Sequence, residues 1–302
     1  MDLASSEEPR SHSFWGLLLN FLVHLRLHFQ LLLAPIYLWG YFLSGAQPGL
    51  DFWLGFLAFH IFLYGGATAF NSYYDQDQGP IGGLSAPPPV AQAVMSLSLA
   101  VQLIGAILAA FVNVYFLAIY GLMFLMGIAY SHPRIRLKRR PIAGLVTVGL
   151  GQGVLASLGG WVCGRASLTS LGNLDWVGVL AVSLVTVGFY PITQIYQVEE
   201  DRSRGDWTLA VWVGPRKTFL FSIILQALAA VLLLAVINQR MGSFPAILVA
   251  IFYGGLLVYT FFWGRSFRKD EVLSNFRKVM AINGVTSLGF AILLTLYLFN
   301  VL

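Results

Sequence analysis

The sequence predicts an all-α polytopic membrane protein, with nine transmembrane helices in one bundle. Three observations predict it. Of 302 residues, 58% are hydrophobic and only 10% are charged, whereas a soluble domain carries about 25% charged residues. The mean hydropathy is +0.75. The apolar residues also fall in long blocks rather than on single faces of amphipathic helices. Such blocks suit helices that satisfy their own backbone inside a bilayer.

At about 20 residues per crossing, nine spans are expected at 22–44, 51–71, 91–111, 113–130, 141–163, 175–197, 218–238, 244–263 and 279–301. They form one domain, 22–302, behind a polar tail at 1–21 that is expected to be disordered. The tail contains Glu7, Glu8, Pro9 and Arg10 and lacks the basic-then-apolar layout of a cleavable signal peptide. The third and fourth spans are separated only by a short turn at Asn113. Pro87-Pro88-Pro89 makes a stiff lead into the third span and is too short for a Pro-rich ligand.

Charge placement tests this layout. With the N-terminus cytoplasmic and the C-terminus outside, only Arg165 and Arg240 of the 18 Lys and Arg fall on the outer side. Only Asp51 and Asp175 of the 13 acids do so. That agrees with the enrichment of basic residues in cytoplasmic loops. The net charge of +5 therefore belongs to loops, and nucleic acid is a poor partner for it. The single cysteine, Cys163, excludes a disulfide within the chain and a Cys-rich metal site.

Two polar clusters end apolar spans on the cytoplasmic side. The first is Asn71-Ser-Tyr-Tyr-Asp75-Gln-Asp77, followed by a Gly/Pro loop through Gly79, Gly82 and Gly83. If the helix continues, Asn71 and Asp75 share one face. An amide and two carboxylates supply hard oxygen donors of the kind that hold Mg²⁺ through diphosphate oxygens. A solvated helix end is also polar, but ionisable groups at membrane depth are costly and usually functional. The glycines permit backbone N–H groups to converge on an anion, and they also suit a plain turn.

The second cluster is Gln194, Gln197, Glu199, Glu200, Asp201 and Asp206. On a continuous helix Gln194, Gln197 and Asp201 form one stripe, with Glu200 beside it and Glu199 pointing away. A charged helix exit is the plainer reading, but the bilayer offers two glutamines no water. The basic run Arg134 to Arg140 reads mostly as a topology signal at lipid headgroups. Arg134 and Lys138, four apart beyond Tyr130, are its candidates for holding a diphosphate, with Arg202 and Arg204 as similar candidates. His24 and His28 share a face, but no other Cys or His nearby in sequence completes a zinc site, and His60 reads as a core residue. Tyr73, Tyr74, Tyr130, Tyr190 and Tyr196 line helix ends, as interfacial tyrosines do.

With these motifs the chain resembles the UbiA superfamily of intramembrane prenyltransferases. That family has nine transmembrane helices and aspartate-rich motifs ending the second and sixth, where both clusters fall here. Asn71 and Asp75 match the first motif, Asn-x-x-x-Asp-x-x-x-Asp, while its third place falls on Gly79 and Asp77 is displaced by two. In the second motif Gln197 stands for the first Asp, Asp201 matches the second, and Gly205-Asp-Trp-Thr208-Leu209 matches the tail. Tyr130 through Lys138 resembles the family's basic loop after the fourth helix, whereas Gly-Pro-Ile-Gly82-Gly83 replaces a usual basic Pro-Arg-Pro segment.

The resemblance implies Mg²⁺-dependent transfer of a prenyl group from a prenyl diphosphate to a lipophilic acceptor within the membrane. Asn71, Asp75, Asp77 and Asp201 would be catalytic. Metal would be held by these with Gln197 and Glu200. The diphosphate would be held by Lys138, Arg134, Arg202, Arg204, Gly82, Gly83, Gln197 and Tyr130. An intramembrane terpene cyclase of the same superfamily would share the ionisation step. A transporter or lipid-binding membrane protein is the reading from another class, though transport sites normally lie near the midplane and no inverted repeat is visible. Membrane lipid is the expected surrounding partner, and the oligomeric state is left open.

Overall fold

The computed structural model describes residues 14–301. Nine helices among them are long and apolar enough to cross a membrane. They are α1 Phe14–Ser44, α2 Leu50–Asp75, α3 Ala93–Val112, α4 Val114–Ser131, α5 Pro141–Arg165, α6 Asn173–Thr193, α7 Pro215–Met241, α8 Ser243–Ser266 and α9 Val272–Leu298. The protein is an integral, multi-pass membrane protein. Isoleucines, leucines and phenylalanines such as Leu103, Ile107 and Phe111 on α3 lie exposed, as a lipid-facing surface requires.

Sequence chemistry explains most of the boundaries. Proline opens α5 and α7 at Pro141 and Pro215, where its missing N–H costs nothing. The turn expected at Asn113 is a cap. Its Oδ1 accepts from Phe116 N at 2.9 Å while its Nδ2 donates to Val162 O at 2.9 Å, tying α4 to α5. On the same side of the bundle, Asp175 accepts from Gly172 N at 2.9 Å and pairs with Arg240 at 2.5 Å. Arg165 donates to Ser44 O at 2.5 Å. The two arginines that depart from the charge asymmetry are therefore both tied to protein groups.

Three boundaries differ from the expected ones. Helix α1 begins at Phe14, so residues 14–21 of the expected tail are helical, while residues 1–13 lie outside the described residues. Helix α9 covers Val272–Leu298 and so begins a loop earlier than expected. Helix α6 stops at Thr193 rather than near Gln197. Pro191 sits in its last turn, and the next N–H groups make tighter bonds, Gln194 N to Pro191 O and Ile195 N to Ile192 O. A separate short helix, Val198–Ser203, then carries the acids. Gln194, Gln197 and Asp201 thus do not form one helical stripe.

The core lies in the membrane half away from the acidic clusters. Tyr37, Phe52, Phe59, Phe116 and Tyr120 pack there as edge-on and stacked rings, with Phe59 and Phe116 centroids 4.6 Å apart. His60 is buried among them as a core residue, as expected, and bonds Phe56 O through Nδ1 at 2.9 Å, while its buried Nε2 has no hydrogen-bond partner among the described residues. Helices α2 and α5 each widen by a π-helical stretch, Ala58–Tyr64 and Gly149–Leu155. Such bulges push residues off the regular face and recur at functional sites.

Helices α1 and α5 cross with backbones in direct contact. A Cβ on Gly40 would overlap the Ser157 carbonyl, and one on Gly160 would overlap the Tyr37 carbonyl and come 2.8 Å from Tyr41 N. Close approach through small residues is how membrane helices gain packing without a hydrophobic drive between them. Gly160→Val should therefore lower the melting temperature in detergent and the folded yield, since backbone cannot yield as a side chain can. Gly121→Ala, whose Cβ meets nothing within 4 Å, should leave both unchanged.

Candidate active site

The site forms where α2 ends, α4 runs into the basic loop and α6 gives way to the short helix Val198–Ser203. The chain is bent hard at each approach. Arg26, Gln76 and Arg136 all have left-handed backbone, with φ of +49°, +50° and +45°. Non-glycine residues take that conformation at a cost and cluster at functional sites. Gln76 ends α2 one residue after Asp75, with its N–H on Ser72 O. Asp75 and Asn71 therefore lie on one helical face, as the sequence implies, and Asp77 begins the loop.

Five carboxylates and four cations meet here. Asp75 is buried and forms an ion pair with Lys138 Nζ, and its other oxygen lies 3.2 Å from Arg136 Nη2. Arg136 also grips Asp206 with two hydrogen bonds, 2.9 and 2.7 Å, the bidentate geometry that suits a guanidinium. Arg204 links the two clusters. It donates to Asp77 Oδ1 at 2.7 Å and to the Asp75 carbonyl at 3.2 Å, and lies 3.2 Å from Glu200 and 3.9 Å from Asp201. Glu200 reaches back to accept from Gln78 N at 3.1 Å. Arg26 donates to Ser72 Oγ at 2.7 Å and to Thr68 O at 3.2 Å from the α1 side.

These surroundings set the charges. Burial pushes Asp201 up to about 7 against the pull of Arg204, so it exchanges its proton near neutrality. Asp77 is also raised, by burial and by the nearby Asp75 carboxylate. Arg136 is held firmly charged, chiefly by its bond to Asp206. Thr208 donates to Asp201 Oδ2 at 3.2 Å while its Oγ1 caps the helix Leu209–Val213, so the acid is fixed by a folded element.

Below the acids two cavities run into the membrane half of the bundle, about 300 and 190 Å³. Tyr130 and Tyr190 line both, with their hydroxyls 2.7 Å apart. Asn71 lines the smaller one and donates to Ser131 Oγ at 3.1 Å. Gln197 and Gly82 line the larger one. The remaining walls are mostly Phe, Tyr, Leu, Ile and Val.

Most of the expected residues are thus brought together: Asn71, Asp75, Asp77, Tyr130, Lys138, Gln197, Glu200, Asp201 and Arg204. Two are not. Arg134 is exposed, and Arg202 is exposed and paired with Glu199 at 3.3 Å. Helical spacing of four does not hold for Arg134 and Lys138, because α4 ends at Ser131 and the following turn brings Arg136 and Lys138 to the acids instead. Arg136, Asp206 and Thr208 join the cluster although spacing did not single them out, and Asp206 belongs to the second cluster by sequence.

The Gly79–Gly83 loop is fastened to α1. Gly83 O faces His28 Nε2 at 3.0 Å, Ile81 and Leu84 exchange backbone hydrogen bonds, and Gly82 lies over the Phe29 ring. A Cβ on Gly83, at φ +83°, would come 2.6 Å from His28 Nε2. Gly83→Ala should therefore cost about 1–2 kcal/mol of stability from backbone strain alone, seen as a lower melting temperature. An unchanged melting temperature with weaker donor binding would place the loop's role on the anion instead.

The donor chemistry fits a hard divalent cation. All candidate donors are oxygens, and buried Asp75 Oδ1 accepts no hydrogen bond. Among the described residues no group of three or more His, Cys, Asp and Glu is close enough to hold a metal unaided. An ion here would therefore complete its shell with oxygens from an anionic ligand.

Acids and cations at one membrane face, set above an apolar chamber, define a helical membrane protein with a charged site at one end of an apolar cavity. The UbiA prenyltransferase family model matches residues 33–285, and the chain belongs to that family. It is 25% identical over 176 residues to digeranylgeranylglyceryl phosphate synthase of Methanothrix thermoacetophila, covering 57% of this chain and 62% of that one. It is 27% identical over 143 residues to lycopene elongase/hydratase of Haloferax volcanii, covering 46% of this chain and 45% of that one. The matches thus span less than two thirds of either relative's length. A UbiA homologue from Archaeoglobus fulgidus, solved with DMAPP and Mg²⁺, superposes with a TM-score of 0.68 at 21% identity over 94% of this chain and all of that one. The apo UbiA homologue of Aeropyrum pernix gives 0.63 at 23% identity, over 85% and 96%. At these identities the structural likeness establishes the fold.

Proposed function

We propose that this protein transfers a prenyl group from a prenyl diphosphate to a lipophilic acceptor inside the membrane, with Mg²⁺. One observation carries the reading: both acid clusters and three cations converge over the mouth of an aromatic chamber. Magnesium bound by Asp75, Asp77 and Asp201, with Asn71, Gln197 and Glu200 beside them, would neutralise diphosphate charge. Lys138, Arg136 and Arg204 donate to the leaving oxygens, where charge develops as the allylic C–O bond breaks. The chamber excludes water from the cation that results. Tyr130, Tyr190, Tyr64 and Tyr253 line it, and a ring face turned to the cation would be worth on the order of 1 kcal/mol. The acceptor attacks from the second cavity or from the deeper part of the first.

The test is incubation of the purified protein in lipid with prenyl diphosphates of several lengths, Mg²⁺ and a membrane lipid extract, read by mass spectrometry. A prenylated extract component is expected, and cyclised prenyl chains formed without extract would point to a cyclase instead. Asp75→Ala and Asp201→Ala should abolish turnover, and Arg204→Ala should reduce it at least tenfold. Arg202→Ala and Arg134→Ala should stay near wild type, since neither reaches the site. Near wild-type turnover in Asp75→Ala at saturating Mg²⁺ would remove that residue as an essential ligand.

The site is assigned to the cytoplasmic face, with the N-terminus cytoplasmic and the C-terminus outside. Sixteen of the 18 Lys and Arg support this through the basic-inside asymmetry. In a Cys163→Ser background, a cysteine at Ser203 should be labelled by an impermeant reagent only from the cytoplasmic side. Labelling from outside would reverse the assignment.

A further inference from the structure

The larger cavity contains a set of polar side chains that the diphosphate chemistry does not use. Gln152 on α5, Gln226 on α7 and Asn283 on α9 all line it. Their helices start on the face that carries the acids, at Pro141, Pro215 and Val272. Each of the three therefore sits eleven residues beyond its helix start. Asn283 lies one turn past Val279, which clusters with Ile192 and Tyr196 near the end of α6, whereas Gln152 and Gln226 lie about 16 Å along their helices at 1.5 Å per residue, well inside a hydrocarbon core about 30 Å thick.

Carboxamides at that depth need partners, and these are incompletely satisfied. Gln226 is only 8% exposed. Its Nε2 donates to Val185 O at 2.9 Å, but its buried Oε1 accepts nothing. Thr286 Oγ1, on the same cavity wall, is likewise buried without a partner. Ser287 Oγ meets Asn283 Oδ1 at 3.1 Å, which orients that amide. Gln152 stands on the π-helical stretch of α5, where the backbone bulge alters the face it presents. An unpaired buried acceptor is destabilising, so an apolar residue would serve packing better at Gln226 and at Thr286.

Charge is almost absent from the same walls. Arg26 is the one charged residue lining either cavity among the described residues, and its guanidinium is bonded to Ser72 and Thr68. A carboxylate or phosphate at the depth of the amides would have no counter-ion. Burying an unpaired charge there is far costlier than burying a hydroxyl. A hydroxyl or phenol both donates and accepts, which matches a ring of carboxamides and a threonine hydroxyl.

We infer that the Gln152, Gln226 and Asn283 belt, with Thr286, is the acceptor's recognition subsite, and that it selects an uncharged, hydroxyl-bearing lipophilic acceptor over a carboxylated or phosphorylated one. This deepens the prenyl-transfer reading and rests on it. Tyr130 and Tyr190 lie one and three residues from the ends of α4 and α6, about 5 Å deep or less at the same rise. Val185, which holds Gln226, lies five residues before Tyr190 on α6, about 8 Å at the same rise, enough for a head group of one or two rings whose far hydroxyl reaches the amides.

The test uses the full chain in phosphatidylcholine nanodiscs with geranyl diphosphate, Mg²⁺ and two matched probes, 1,4-naphthalenediol and 1-hydroxy-2-naphthoate. The diol is expected to be prenylated with a KM at least tenfold below that of the carboxylate. Asn283→Leu and Thr286→Val should raise the diol's KM several-fold while leaving the geranyl diphosphate Kd unchanged and without lowering the melting temperature. Gln226→Leu should do the same, and Thr286→Val covers the case in which loss of the Val185 bond impairs folding. Equal or better use of the carboxylate, or variants that shift donor affinity instead, would overturn the inference. Absence of Mg²⁺-dependent geranyl diphosphate binding by the unmodified protein would instead overturn the prenyl-transfer reading itself.

Discussion

Asp75 is the group on which the arrangement depends. A carboxylate at the end of a membrane helix is tolerable only with counter-charge close by, and Lys138 and Arg136 supply it. Through Arg136 the same acid is joined to Asp206, and through Arg204 its loop is joined to Glu200 and Asp201. Three segments far apart in sequence are held at one place by these pairs. Trp207 N on Arg139 O adds a backbone tie between the basic loop and the second cluster. Removing one partner of such a set leaves an uncompensated buried charge, a larger penalty than the pair's own net worth.

This network also accounts for the division of the bundle into two halves. The half away from the acids is closed by interlocked aromatic rings and by backbone contact at Gly40 and Gly160. The half beneath the acids keeps its cavities. Rigid packing on one side and an open chamber on the other would place the anionic head of the proposed donor at the membrane face and its hydrocarbon chain inside. The same polarity explains why bent backbone at Arg26, Gln76 and Arg136 gathers at the acidic end.

Much of this was legible in the sequence. Nine apolar blocks located nine helices because the bilayer imposes both length and composition. Asn71 and Asp75 were legible because the helix does run through them, so their spacing of four was geometry. Spacing failed where the helix stopped. Beyond Thr193 and Ser131 the chain turns, and neither the Gln194, Gln197 and Asp201 stripe nor the Arg134 and Lys138 pair survives. Arg136 was hidden because nothing local shows that it adopts φ +45° and turns toward Asp206, 70 residues away. The carboxamide belt was hidden for a similar reason: its members are single polar residues on three helices, brought to one cavity only by the fold.

The central claim is that a divalent cation and a diphosphate meet at Asp75. Phosphorus NMR of a non-reactive geranyl thiolodiphosphate with Mn²⁺ as the paramagnetic ion tests it most directly. The account predicts that Mn²⁺ broadens the phosphorus resonances of the bound analogue, and that Asp75→Asn abolishes the broadening while Arg202→Ala preserves it. Broadening that persists unchanged in Asp75→Asn would contradict the account.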